Sequence, residues 1–289
     1  MCRCCRKARD SRKGDSPVFV ERELGQSPRQ GMTLIELLLA VSVVSMIVGA
    51  LGAVAAGIQK AYEYSEGFGT ATQHARVALD RIAKTVGEAT ANEQFPGFIV
   101  VIDNEGAWTF PETLVVWRPQ TAAADPKGLP RFNELVIYCP DWYTPSKLVE
   151  IRVPSDTRTV PAVSNTAQWA VEIEAIRKNK SVEAVTLTTL LRTATVSGSG
   201  ASRWRGVVRF AQRLRPNDTQ WAQFKAGTLA WNDLYWVQGL FGSQVGLRQA
   251  WLRTELQLLP GATWVSNDPA SQRAIPFFGS AAVYYEMRP

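Results

Sequence analysis

The sequence predicts an α+β protein, with a long N-terminal transmembrane-plus-amphipathic helix packed on a C-terminal antiparallel β-rich globular domain. Three observations carry this prediction. Residues 32–58 contain one charge, Glu36; apolar residues then recur every three or four positions up to Ala89; and beyond Gly97 the apolar period drops to two. The 289 residues suffice for one sizeable soluble domain beyond the helix.

Residues 1–31 are polar and punctuated by Gly14, Pro17, Gly25 and Pro28, which argues against a packed structure. They hold eight basic residues against four acidic ones, leaving +2 of the total +6 for residues 32–289. The basic balance therefore belongs largely to a leader that the positive-inside rule keeps in the cytoplasm. The same arithmetic argues against a nucleic-acid surface on the body. Cys2, Cys4 and Cys5 lie in this leader with no histidine nearby, so they lack the closure of a tetrahedral metal site. Cys139 stands alone in the body within an apolar run and reads as a small core residue.

As a helix, residues 32–58 would be about 40 Å long against a hydrocarbon core of about 30 Å, enough to span with some tilt. A signal peptide, the rival reading of a basic leader before an apolar run, is argued against by the length of that run. Gly49/Ala53, Gly52/Ala56 and Ala53/Gly57 are small pairs four apart, suited to close helix packing in lipid or to local helix flexibility. Glu36 is the feature a plain anchor lacks: an ionised carboxylate at depth costs several kcal/mol unless paired. It asks for a partner.

Residues 59–93 continue as the amphipathic half. Ala75, Ala78, Leu79, Ile82, Ala83, Val86 and Ala89 form its apolar stripe, and Phe95-Pro96-Gly97, which removes a backbone donor and offers a left-handed turn, predicts a stop near Asn92. Residues 94–289 form the β-rich body. Short apolar runs at 98–102, 114–117 and 135–138 read as strands. Val149, Ile151 and Val153 predict a half-buried strand, as do Leu252, Leu256 and Leu258; residues 282–287 predict the last. Asn165-Thr166 caps a helix over 168–178 with Trp169, Ile173 and Ile176 on one face, and Asn217-Asp218 opens a short helix over 219–225 ended by Gly227. Residues 197–200 read as a flexible loop.

Candidate chemistry is sparse. His74 is the sole histidine and reads as a solvated helix residue, and no catalytic triad, phosphate loop or nucleotide fingerprint occurs. Asn217-Asp218, Asn232-Asp233 and Asn267-Asp268 could offer oxygen ligands to calcium, but lack the alternating carboxylates of a calcium loop and suit turns. Arg203, Arg205, Arg209, Arg213 and Arg215 occupy odd positions with Trp204, Val208, Phe210 and Leu214 at even ones. On a strand this makes one guanidinium face and one apolar face, meant either for phosphate or for acids such as Glu172 and Glu174. The ten tryptophans all lie in the body and read as core and interface anchors.

Gly31, then Met32-Thr33-Leu34-Ile35-Glu36, then an apolar helix, resembles the prepilin peptidase site of type IV pilins and type II secretion pseudopilins. The resemblance implies a pilin-like fold, cleavage between Gly31 and Met32 by prepilin peptidase, N-methylation of Met32, and an assembly role for Glu36 as fifth mature residue. Met at the first mature position departs from the commoner Phe. The late strand Trp251-Leu252-Arg253-Thr254-Glu255-Leu256 resembles that of J-type minor pseudopilins and W-type minor pilins. The resemblance thus implies a structural minor subunit rather than an enzyme, without a cofactor apart from the calcium some pseudopilins use. Its partners would be other pilin or pseudopilin subunits. It would be single-pass in the cytoplasmic (inner) membrane, N-terminus in the cytoplasm and body outside. Two rival readings are a competence minor pilin binding DNA through the basic strand face, and a membrane-tethered enzyme.

Overall fold

The computed structural model describes residues 31–197, 203–230, 233, 247–260 and 274–286. The leader with its three cysteines, residues 198–200 of the expected loop, Asn232, the Asn267-Asp268 pair and Met287 lie outside them. Two compact units divide the chain, residues 1–56 and 57–289.

Helix α1 (Leu34–Gly87) begins in the first unit and ends in the second. It stops before the expected Asn92. The reason is tertiary: the Thr90 amide donates to the Trp117 carbonyl at 2.9 Å, so a strand takes the backbone group that a further helical turn would need. Asn92 instead shapes the next turn, its Oδ1 accepting from the amides of Gln94 and Phe95 at 2.8 Å each. Gly97 sits at φ +85°, where a Cβ would also meet Val283 Cγ1 at 2.9 Å, which fits the left-handed turn expected there.

Five antiparallel strands form the first sheet, in order β1 (Phe98–Glu105), β2 (Trp108–Trp117), β3 (Leu135–Pro140), β4 (Leu148–Arg152), β5 (Glu183–Thr188). Helix α2 (Thr166–Lys178) covers one face, with Trp169, Ile173 and Ile176 buried against Ile99, Val115, Ile137 and Ile151. The opposite face meets Ala71, Ala75, Ala78, Ile82 and Val86 of α1. A two-stranded ribbon pairs β6 (Thr193–Val196) with β7 (Arg203–Gly206). A second sheet, in order β10 (Ile275–Glu286), β9 (Leu247–Leu258), β8 (Val208–Arg215), turns Phe210, Leu252, Leu256 and Val283 toward the same α1 stripe. Helix α3 (Asp218–Lys225) comes after β8, capped by Asn217 Oδ1 accepting from the Gln220 amide at 2.8 Å, with Gly227 at φ +70° past its end.

Strand β4 corrects an expectation. Alternation predicts Glu150 on a wet face, yet its side chain is 2% exposed, because α1 covers that face and α2 the other. Its carboxylate accepts from Arg81 Nε at 2.8 Å and Nη2 at 3.0 Å, and from the Tyr138 hydroxyl at 3.1 Å. Tyr138 is in turn within 2.7 Å of Thr85 Oγ1, so helix and sheet are clamped through polar groups as well as the alanine stripe. Burial pushes the Glu150 carboxyl up, but the Arg81 hydrogen bonds and charge, with Tyr138 and Arg152, outweigh it and hold the group below its ordinary 4.5. A depressed carboxyl stabilises the fold above its unfolded value, and that stability is lost as pH falls through the folded one. Glu150→Gln is expected to cost about 3 kcal/mol at pH 7, the low end for a buried pair because Arg81 is half-exposed. Denaturant unfolding from pH 7 to 3 should show that gap closing below about pH 4.5; a gap that stays constant with pH would show that the ionised form carries none of it.

Candidate assembly site

Residues 31–33 are non-helical and exposed, and α1 opens at Leu34. The Thr33 hydroxyl accepts from the Glu36 amide at 3.4 Å, while Glu36 Oε2 accepts from the Thr33 amide and hydroxyl, each at 3.1 Å. This is a capping box. Two helix-end donors that lipid would leave unsatisfied are met reciprocally, and the carboxylate lies at the positive end of the helix dipole. The partner that Glu36 needs is thus found first within its own chain. The Thr33-x-x-Glu36 spacing ahead of an apolar run is the signal by which sequence could have found Thr33.

Every residue from Met32 to Ala61 is exposed, and among the described residues α1 is the one helix long and apolar enough to cross a membrane. No atom lies within 4 Å of where a Cβ would stand at Gly49, Gly52 or Gly57, so this surface is open to close approach by another helix. Next to the buried stripe, His74 is half-buried rather than solvated, since it falls three residues after Ala71.

The arginine series divides. Arg205 is 5% exposed and ion-pairs with Asp103 at 2.6 Å, Glu105 at 2.9 Å and Glu112 at 3.1 Å. Arg177 of α2, also 5% exposed, meets the same Glu112 at 2.8 Å. Glu172 and Glu174, the expected acids, instead pair with Arg158 and Lys178. Arg203 stacks 3.4 Å from the centroid of Trp142; burial lowers its pKa, and the charges of Arg205 and Arg177 lower it further. Trp204, expected on an apolar inner face, points outward, because Val207 separates β7 from β8 and the alternation does not run through. Residue types alone could not find the Arg177–Glu112–Arg205 group, whose members lie on α2, β2 and β7.

Trp117, Trp169 and Trp221 are core, but Trp108 is 61% exposed. Cys139 is buried, and burial pushes its thiol up to about 12, the state of an inert core thiol. Asp218, considered for calcium, ion-pairs with Arg248. Among the described residues no three His, Cys, Asp or Glu side chains gather as a metal site.

Residues 26–52 match a family model described as the prokaryotic N-terminal methylation motif. The match supports a type IV pilin-like subunit, and with the apolar helix it fits anchoring in the inner membrane. No curated protein and no solved structure matches the chain.

Proposed function

We propose that this chain is a minor pilin-like subunit of a type II secretion or type IV pilus machine, and that it acts by assembly and contact rather than by turnover. The observation that carries the reading is the methylation motif at residues 26–52, which runs into the uncovered apolar first half of α1. In a single chain that helix leaves Leu34, Ile35, Met46 and Ile58 exposed, so it requires lipid or neighbouring helices to surround it. Prepilin peptidase would cut between Gly31 and Met32 on the cytoplasmic side, and Met32 would then be N-methylated. The new amine at Met32 would lie one residue from the amide that Glu36 already binds, within reach of the same carboxylate or of one on an adjoining subunit. The body, outside the membrane, would supply the specific contacts of a minor subunit.

The processing step has a direct test. Gly31→Leu is expected to leave the full-length precursor as the only form, because a branched side chain replaces the small residue on which the cut depends. Intact-mass and N-terminal peptide mass spectrometry of membrane-extracted protein reads both outcomes. Wild-type chain that retains residues 1–31 in cells with an active prepilin peptidase would end the proposal.

A further inference from the structure

Strand β1 is an outer strand of the five-stranded sheet, paired among the described residues with β2 alone. An antiparallel strand turns the backbone groups of successive residues alternately to one side and the other. The Trp117 amide donates to the Gly97 carbonyl at 2.8 Å, so Gly97, Ile99 and Val101 bond toward β2 while Phe98 and Val100 face away from it. Gln212 Nε2 of β8 agrees with this direction, since it reaches the Phe98 carbonyl from the outer side at 2.7 Å. Next along the edge, the Val100 amide and carbonyl meet no partner among the described residues. A groove of about 490 Å³ lies beside them. Ile99 and Val101 line it from the sheet, and Ala167 and Ala170, one turn apart on α2, line it from the helix with side chains small enough to leave it open. Among the described residues no charged side chain lines it.

The free backbone groups and the groove together select the occupant. An edge amide and carbonyl are satisfied by another extended main chain, whereas a helix keeps its own backbone groups bonded internally. Alternate side chains of an extended chain stand about 7 Å apart on one face, the interval from Ile99 to Val101, so two of them would enter the groove together. Without a charge in the groove, those side chains are apolar. A second copy of this chain could not supply them from its own β1, because Phe98, Ile99 and Val101 are already buried in its core. We propose that the outer edge of β1 and the groove under α2 take up an extended, uncharged segment of a partner polypeptide, apolar at alternate positions, as an added strand. The inference concerns the body alone and does not rest on the assembly reading.

The probe is a fluorescein-labelled heptapeptide of alternating valine and threonine with an amidated C-terminus, titrated by anisotropy with the full chain in lipid nanodiscs. Saturable binding is expected, nearly independent of salt because no ion pair forms. N-methylating one alternate set of its amides removes the donors that face β1 and should weaken binding at least about tenfold, while the other set should be tolerated. Val100→Pro deletes the free edge amide, which an outer strand can lose without breaking its ladder, and should weaken binding about tenfold. Ala167→Trp, at an exposed position of α2, should fill the groove and abolish binding with β1 untouched. Val185→Thr on β5, the opposite outer strand, should change nothing. No saturable binding, the result expected if residues of the same chain close the edge, would overturn the assignment. Equal loss with either N-methylated set, or unchanged affinity in both Val100→Pro and Ala167→Trp, would overturn it as well.

Discussion

Glu36→Leu is expected to leave cleavage after Gly31 and the membrane level of the protein intact, yet abolish crosslinking to other pilin-like subunits and function in a complementation assay. Two physical effects oppose each other at this position. In a lone membrane helix the carboxylate is a cost, so leucine should improve insertion. Within an assembly, a carboxylate paired with the new amine of Met32 and buried among helices costs about 3 to 5 kcal/mol when one partner is removed. The capping box adds a second, smaller loss, on the order of 1 kcal/mol for a helix-start contact. Glu36→Gln separates the two. Glutamine keeps the reciprocal bonds with Thr33 but carries no charge, so it should fail like leucine if the charge matters and complement if only the cap does. Full complementation by Glu36→Leu would show that neither matters, leaving a subunit that joins through its body alone.

Glu112→Ala should be the most damaging single change in the body. Its carboxylate is 3% exposed and lies 2.8 Å from Arg177 Nη1 and 3.1 Å from Arg205 Nη1, both guanidinium groups being 5% exposed. Arg205 would keep Asp103 and Glu105, whereas Arg177 would keep the Pro140 carbonyl at 3.0 Å and, among the described residues, no acid. Among the described residues Arg177 Nε is buried without a hydrogen-bond acceptor and Arg205 Nη1 meets Glu112 only as a poorly aligned ion pair, so little local slack remains. Leaving one buried cation uncompensated costs about 3 to 5 kcal/mol, a large share of the 5 to 15 kcal/mol by which domains are stable. For a body of this size the melting temperature should fall by roughly 6 to 20 °C. Glu112→Leu/Arg177→Met should recover much of that loss, since exchanging both members of a buried pair for apolar groups is often close to neutral. A melting shift below about 2 °C for Glu112→Ala would mean that water reaches the group.

Features that depend on residues near one another in sequence are the ones that sequence makes legible. The apolar stripe of α1, the Asn165 and Asn217 caps, the inward leucines of β9 and the left-handed Gly97 each depend on contacts within a few positions, and all stand in the structure as expected. Failures begin where a second element decides. Glu150 alternates like a wet residue, and only the arrival of Arg81, 69 positions away, makes it a buried clamp. Regular odd spacing made five arginines look like one face, but the break at Val207 sends Arg205 inward and leaves Arg209, Arg213 and Arg215 outside.

Sequence by itself determined the processing motif, the apolar helix with its single carboxylate, the amphipathic continuation and the α+β class, because each rests on local chemistry or on a short period. Tertiary structure alone decided where α1 ends, which acids the arginines meet, and that Glu150 is buried. Those outcomes depend on strand register and on which faces are covered, and both are set by burial between elements far apart in the chain.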